Sequence, residues 1–222
     1  MEKAIIIFHL DKMNDLCKAC RNGDLELVKE LREVDPSQLY NLPFRLAVDY
    51  GHIEVVKYLL TDPRVNPADN DNSAIGYAAL KDDIEMVSLL LQDSRVNPAA
   101  DDNYALRASR TIEMQKLLLT DPRVDPNILL DLLIYNREWK DILEIIDDPR
   151  IKPGLYNNLL LCQAVLYDQV ELVRKLLSYQ AVLDNDLKVP LQNAKTDEIK
   201  EMIAKAVYRV DGQEYCKMKN LL

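Results

Sequence analysis

The sequence predicts an all-α solenoid of helix–turn–helix units stacked in chain order and joined by long return loops. Three observations predict it: a short string that recurs along the chain, prolines at nearly constant spacing, and two amphipathic helical stripes within each interval. Thr61-Asp62-Pro63-Arg64-Val65-Asn66-Pro67 returns as Gln92-Asp93-Ser94-Arg95-Val96-Asn97-Pro98 and as Thr120-Asp121-Pro122-Arg123-Val124-Asp125-Pro126. Asp147-Asp148-Pro149-Arg150-Ile151-Lys152-Pro153 is a worn copy, and Glu33-Val34-Asp35-Pro36 keeps only the end. The final prolines at 36, 67, 98, 126 and 153 stand 31, 31, 28 and 27 residues apart. A period of about 30 residues is the length of one supersecondary unit in a repeat array.

Each interval has the same internal order. In Leu42-Pro43-Phe44-Arg45-Leu46-Ala47-Val48-Asp49-Tyr50, apolar residues fall at helical spacing. Gly51-His52 makes a turn, and Ile53–Leu60 is a second amphipathic helix. Asp62-Pro63 ends it, because the residue before a proline is pushed out of the helical region. The polar run Ala68-Asp69-Asn70-Asp71-Asn72 is a loop or turn. Neither helix can bury its stripe alone, so neighbouring pairs must stack into one continuous core. Six units are expected, with second helices near 25–31, 53–60, 84–91, 112–119, 140–146 and 170–177. Leu59, Leu90, Leu118 and Leu176 are expected in the shared core. A shorter unit over 189–207 is expected to cap the array, with Lys195, Lys200, Glu201 and Lys205 exposed. The organisation is then a capping segment over 1–12, the array over 13–207 and a tail over 208–222.

These residues resemble the ankyrin-repeat pattern Thr-Pro-Leu-His-x-Ala-Ala-x-x-Gly-His-x-x-Val-Val-x-x-Leu-Leu. Leu42–Val48 and Gly51–Leu60 lie over it most fully. Leu16-Cys17-Lys18-Ala19-Cys20 with Gly23-Asp24-Leu25-Glu26-Leu27-Val28 is a second match. Ile75-Gly76-Tyr77-Ala78-Ala79 with Ile84-Glu85-Met86-Val87, and Leu161-Cys162-Gln163-Ala164-Val165 with Val170-Glu171-Leu172-Val173, are the third and fourth. The likeness spans roughly 13–207. It departs from the family where Thr-Pro-Leu-His is complete nowhere and Val189-Pro190-Leu191-Gln192 comes closest. Leu106 to Ile112 is 6 positions where Phe44 to Ile53 is 9, so the first helix over 104–110 is expected to be a turn shorter or irregular. The Asp-Pro-Arg-Val-Asn/Asp-Pro spacer is similar to that of degenerate ankyrin chains from giant DNA viruses of amoebae. The resemblance implies an ankyrin-like solenoid and a non-catalytic protein–protein interaction scaffold. It also implies an intracellular, cytoplasmic setting, in the host if the chain is viral.

Composition narrows the classes. Among 222 residues, 28 Lys and Arg face 37 Asp and Glu, a net charge of −9. That opposes non-specific nucleic-acid binding, which needs cations against phosphate, and suits a partner with a basic surface. The longest apolar start, Ala4-Ile5-Ile6-Ile7-Phe8, is far below the about 20 residues of a membrane span, and it lacks the parts of a secretory signal. Four cysteines in a chain this long imply no disulfide framework.

Chemistry-bearing residues are few. Cys17 and Cys20 form a C-x-x-C, but a zinc site needs two further ligands and no matching pair follows. Cys20 falls at a small-residue position of a first helix, which favours structural thiols. His52 sits at the repeat turn, where the family uses it in local hydrogen bonding, and His9 has no nucleophile beside it. No phosphate-binding glycine loop, H-E-x-x-H or catalytic triad order is present, so no catalytic, metal or cofactor site is assigned. Arg64, Arg95, Arg123 and Arg150 recur at one position beside Asp62, Asp93, Asp121 and Asp148. They form either a basic strip for a partner or, as is favoured, an Arg–Asp ladder between loops.

In the family a partner meets the loop tips and the inner face of the first helices. Carried onto this sequence, the turn-flanking positions are Arg21, Asn22, Asp49, Tyr50, Leu80, Lys81, Leu166 and Tyr167. The loop tips add Asn70, Asp71, Asp102, Tyr104 and Tyr156. Tyrosine gives large contact area with few rotamers, although the same rings could simply cover the neighbouring repeat. The favoured state is a monomer that binds another protein. The alternative is a structural or assembly component, self-associating or virion-associated, that uses the same surface on itself.

Overall fold

The computed structural model describes the backbone of residues 2–211 and the side chains of residues 11–154 and 158–207. The described residues are helices and turns, with no strand, in the expected all-α repeat-solenoid class. The chain divides into two compact units, Met1–Asp125 and Pro126–Leu222.

In the first unit, pairs α1 (Glu2–Asn22) with α2 (Leu25–Glu30), α3 (Gln38–Asp49) with α4 (Ile53–Leu60), α5 (Asp69–Leu80) with α6 (Ile84–Leu91), and α7 (Ala100–Ala108) with α8 (Ile112–Leu119) follow in order. First helices pack α1 on α3, α3 on α5 and α5 on α7; second helices pack α2 on α4, α4 on α6 and α6 on α8. Phe44, Ile75 and Leu106 occupy one register position and are buried, as are Leu59, Leu90 and Leu118 one row behind. Each such side chain contributes about 1.5–3 kcal/mol by leaving water.

Helices α2, α6 and α8 start where they do because their N-caps are built in. Asp24 accepts from the Leu27 N–H, Asp83 from the Met86 N–H and Thr111 from the Met114 N–H. A glutamate follows in the first turn of each (Glu26, Glu85, Glu113), where the positive end of the helix dipole favours it. The shortened turn between α7 and α8 is as expected: α7 stops at Ala108 and Ser109 is extended. Asp82 of the preceding repeat fills in, accepting from the Thr111 hydroxyl at 3.0 Å.

Each return loop ends in a feature that a general expectation of a loop did not specify. Residues 39–41, 70–72 and 101–103 form three consecutive left-handed residues, with φ between 49 and 58°. Asn and Asp tolerate that region; Leu39 and Tyr40 do so at a cost. The last residue of each turn is an asparagine that reaches the next repeat. Asn41 Oδ1 accepts from the Asn66 N–H at 2.9 Å, Asn72 from Asn97 at 2.7 Å and Asn103 from Asp125 at 3.3 Å. Arg45 closes the first turn by donating to the carbonyls of Tyr40 and Leu39, at 2.9 and 3.2 Å.

The second unit holds α9 (Pro126–Asn136), α10 (Trp139–Ile145), α11 (Leu155–Leu166), α12 (Val170–Leu176), α13 (Gln180–Leu183), α14 (Lys188–Asn193) and α15 (Asp197–Asp211). Pro126 itself opens α9, so Asn127 follows it directly, yet the asparagine keeps its reach: its Oδ1 accepts from the Lys152 N–H at 3.1 Å. Leu176 is buried in this unit. The stretch over 189–207 contains α14 and most of α15, whose Ile199, Ile203 and Ala204 are buried. Lys195, Glu201 and Lys205 are exposed and Lys200 is half-exposed. Helix α13 was not expected. It stands where earlier repeats carry the spacer, and Gly154 lies so close to the Ala181 carbonyl that a Cβ has no room. Residues 212–222, with Cys216, lie outside the described residues.

Candidate functional site

Four of the carried-over positions meet in one cluster. Arg21 ends α1, Asp49 ends α3, and Tyr50 and Lys81 cap α3 and α5, so the stack of first helices brings their C-terminal ends together. The Arg21 guanidinium carbon lies 5.5 Å from the Tyr50 ring centroid and the Lys81 Nζ lies 5.7 Å from it. Both distances suit a cation against a π face. Lys81 also pairs with Asp49 Oδ1 at 2.6 Å and donates to the Asp49 carbonyl. A line of charge and aromatic surface thus crosses three repeats, and the Tyr50 ring at its centre remains 51% exposed. Cations here also face the negative ends of α1 and α5. His52 holds the line from behind: its Nε2 is 2.7 Å from the Arg21 carbonyl, an inter-repeat bond rather than a local one. Asn22 is exposed beside Arg21, and Leu80 is half-buried beside Lys81.

The loop-tip positions form a second group at the opposite ends of the first helices. Asn70 and Asp71 are exposed in their left-handed turn, and Asp102 pairs with Arg107. Tyr104 is half-buried, with its ring packed over Gly76, where a Cβ would lie 2.6 Å from its Cδ1. That ring covers a neighbouring repeat. Leu39 and Tyr40, exposed at 61% and 69%, stand at the matching tip of the preceding repeat. They were missed, although the equivalence of Asn41 with Asn72 marks them.

In the second unit Leu166 is exposed and Tyr167 half-buried. Tyr167 stacks obliquely on Trp139 at 5.5 Å and takes the Arg137 guanidinium over its ring at 4.6 Å, repeating the Arg–Tyr motif of the first unit. Tyr135, at 85% exposure, was also missed. Its signal was a tyrosine at the end of a first helix, two residues before the turn. Tyr156 lies outside the described side chains.

The recurring arginines are spent inside the array. Arg64, Arg95, Arg123 and Arg150 each chelate the aspartate two residues earlier, at 2.5–2.6 Å. Arg64 also donates back to the Arg32 carbonyl of the previous loop, Arg95 to Val65 and Arg123 to Val96, each at 2.8 Å. The guanidinium hydrogen bonds hold Asp62, Asp93 and Asp148 below the ordinary carboxylate range. This is the ladder, not a free basic strip. Cys20 is fully buried, and burial followed by the nearby Cys17 pushes its thiol up to about 12. Burial likewise raises Cys17, against a smaller lowering by Arg21. Among the described residues no group of three His, Cys, Asp or Glu side chains is placed to hold a metal ion. No helix among them is long and apolar enough to cross a membrane. His9 lies outside the described side chains.

Residues 16–102 match the family model described as ankyrin repeats, in three copies. That stretch takes in the C-terminal end of α1 with α2 and the pairs α3–α4 and α5–α6, with the whole Arg21–Tyr50–Lys81 cluster. No curated protein matches the chain. Ankyrin repeats generally serve as protein–protein interaction modules.

Proposed function

We propose, with the ankyrin repeats of residues 16–102 as premise, that this chain is a non-catalytic scaffold binding another protein through its first-helix ends and loop tips. The observation that carries the reading is the exposed tyrosine clasped between Arg21 and Lys81. An aromatic ring pre-positioned by two cations, on rigid helix ends, presents area at little entropic cost. The acidic tips at Asp71, Asp101 and Asp102 favour a partner that is basic where it meets them, with a salt-sensitive association rate. The Asp-Pro-Arg spacer supports the narrower likeness to ankyrin chains of giant amoebal viruses. Under that reading the partner is a host cytoplasmic protein and the chain acts as a monomer.

The test is capture of a partner from amoebal lysate, followed by affinity measurement on purified components. Tyr50→Ala with Lys81→Ala, in a chain of unchanged helicity, is expected to weaken binding by about 2 kcal/mol or more, roughly 30-fold. Glu54→Lys, on the second-helix face, is expected to leave it unchanged. The opposite pattern places the interface on the second helices. Ordered self-association in sedimentation, with no heterologous partner, replaces the scaffold with an assembly component.

A further inference from the structure

The spacer after α2 is shorter than its successors. Gly23 to Pro36 spans 13 positions, whereas Gly51 to Pro67 spans 16. The missing piece is the Asp-Pro-Arg turn, which reads Asp-Ser-Arg at 93–95. In the next three repeats that turn folds behind the second helix and buries Val65, Val96 and Val124 to 1% exposure. The matching Val34 stays half-exposed, and a cavity of about 390 Å³ opens beside it.

The lining of this cavity has a definite chemistry. Leu31 and Val34 supply apolar surface, while Glu30, Glu33 and Asp35 supply three carboxylates against the single ammonium of Lys12. Asp35 is engaged, since its Oδ1 accepts from the Ser37 N–H and hydroxyl at 3.0 and 2.8 Å. Glu33 meets the exposed Arg32 at 3.4 Å and feels the charge of Arg64, and Glu30 makes no ion pair among the described residues. A bare metal ion does not suit the place, because no three carboxylates there converge closely enough to ligate one. An apolar wall rimmed by two separated carboxylates suits a long cationic side chain, whose methylenes need cover and whose head needs anions.

We propose that this cavity receives an arginine side chain of a partner protein, its stem on Leu31 and Val34 and its guanidinium shared by Glu30 and Glu33. The planar fork, with five donors over a wider span, can donate to two carboxylates set further apart than a compact ammonium bridges. The proposal rests on the reading that the chain binds a protein, but its place is the end of α2, apart from the Tyr50 cluster. The omitted turn makes the first repeat a socket where its successors are filled.

The experiment is a methyl NMR titration of the full chain at low salt. The probe is acetyl-Gly-Arg-Gly-amide, with acetyl-Gly-Gln-Gly-amide and spermidine as comparators. The arginine peptide is expected to shift the Leu31 and Val34 methyls saturably and the glutamine peptide to leave them unmoved. Glu30→Gln with Glu33→Gln, both exposed and harmless to folding, is expected to weaken the effect by about tenfold or more. Tyr50→Ala is expected to leave it unchanged, so failure of the Tyr50 interface and failure of this socket read out separately. The proposal is overturned by absence of saturation up to about 20 mM, by equal response to the glutamine peptide, or by an unaltered response in the double variant. Loss of the effect in Tyr50→Ala overturns it as an independent site. Spermidine binding more tightly than the peptide assigns the socket to a free polyamine instead.

Discussion

At the scale of the residue, one pair of side chains does two tasks in each spacer. The aspartate at 62, 93, 121 and 148 receives the backbone N–H of the arginine two positions on, fixing the turn, and also chelates its guanidinium. At 64, 95 and 123 the guanidinium also holds the previous loop. The native carboxyls of Asp62, Asp93 and Asp148 titrate below the ordinary aspartate value of about 3.9. The sign follows from linkage. A lowered native pKa favours the folded state above the unfolded value, and that contribution is lost as pH falls through the native one. Asp93→Asn keeps the neutral acceptor and removes the charge. It is expected to lower the urea midpoint at pH 6.5 and to approach the parent as pH falls through the lowered native value of Asp93. A constant offset across that range contradicts the assignment. The contribution is small because these arginines are substantially exposed.

At the scale of the element, much was legible. The second helices over 53–60, 84–91 and 112–119 begin and end where apolar periodicity and the recurring spacer place them, Asp-Pro after the first and third and Asp93-Ser94 after the second. The short α7 followed from three absent residues, and the burial of Leu59, Leu90, Leu118 and Leu176 followed from the repeat register. The left-handed turns were not legible, because Asp69-Asn70-Asp71-Asn72 announces polarity rather than handedness. Only the recurrence of asparagine five residues after Pro36, Pro67, Pro98 and Pro153 singled them out. Helix α13 was hidden because Tyr179 replaces the spacer aspartate; its hydroxyl donates to Asp147 Oδ1 at 2.6 Å, with the Ile146 carbonyl 3.2 Å away, tying back to the previous loop as the arginines do from another frame. Of the site, helix-end positions could be read from the turn; Leu39, Tyr40 and Tyr135 carried a positional signal, but how far they are exposed depends on how the chain enters and leaves a helix. The turn yields a test. Asn72→Ala strands the Asn97 N–H and puts a Cβ residue without a side-chain acceptor into the left-handed region. A loss of about 2–4 kcal/mol is expected in urea unfolding, and an Asn72→Gly chain is expected to lose less.

At the scale of the whole molecule, coupling between repeats passes through neighbours only, so damage should have a gradient. Leu90→Ala removes a fully buried side chain from α6 and is expected to cost about 2–5 kcal/mol. Amide exchange is expected to accelerate most in α4, α6 and α8 and least in α11 and α12. Uniform acceleration along the chain contradicts a stacked array. The two-way clasp between loops also bears on how such a chain can change length. From residue 36 to 98 each repeat carries a forward-facing asparagine, and each spacer from 61 to 98 a backward-reaching arginine, on one 31-residue period. A duplicated copy of 67–97 therefore brings both halves of every new junction with it, as an interchangeable cassette. Past residue 178 that grammar changes: Tyr179 stands in the arginine's role, and Asn158 reaches forward with its Nδ2, to the Val182 carbonyl at 2.9 Å, while its buried Oδ1 has no hydrogen-bond partner among the described residues. A genetic slip in the front half lengthens the array by one readable word, whereas the same slip at the back has no syntax to join.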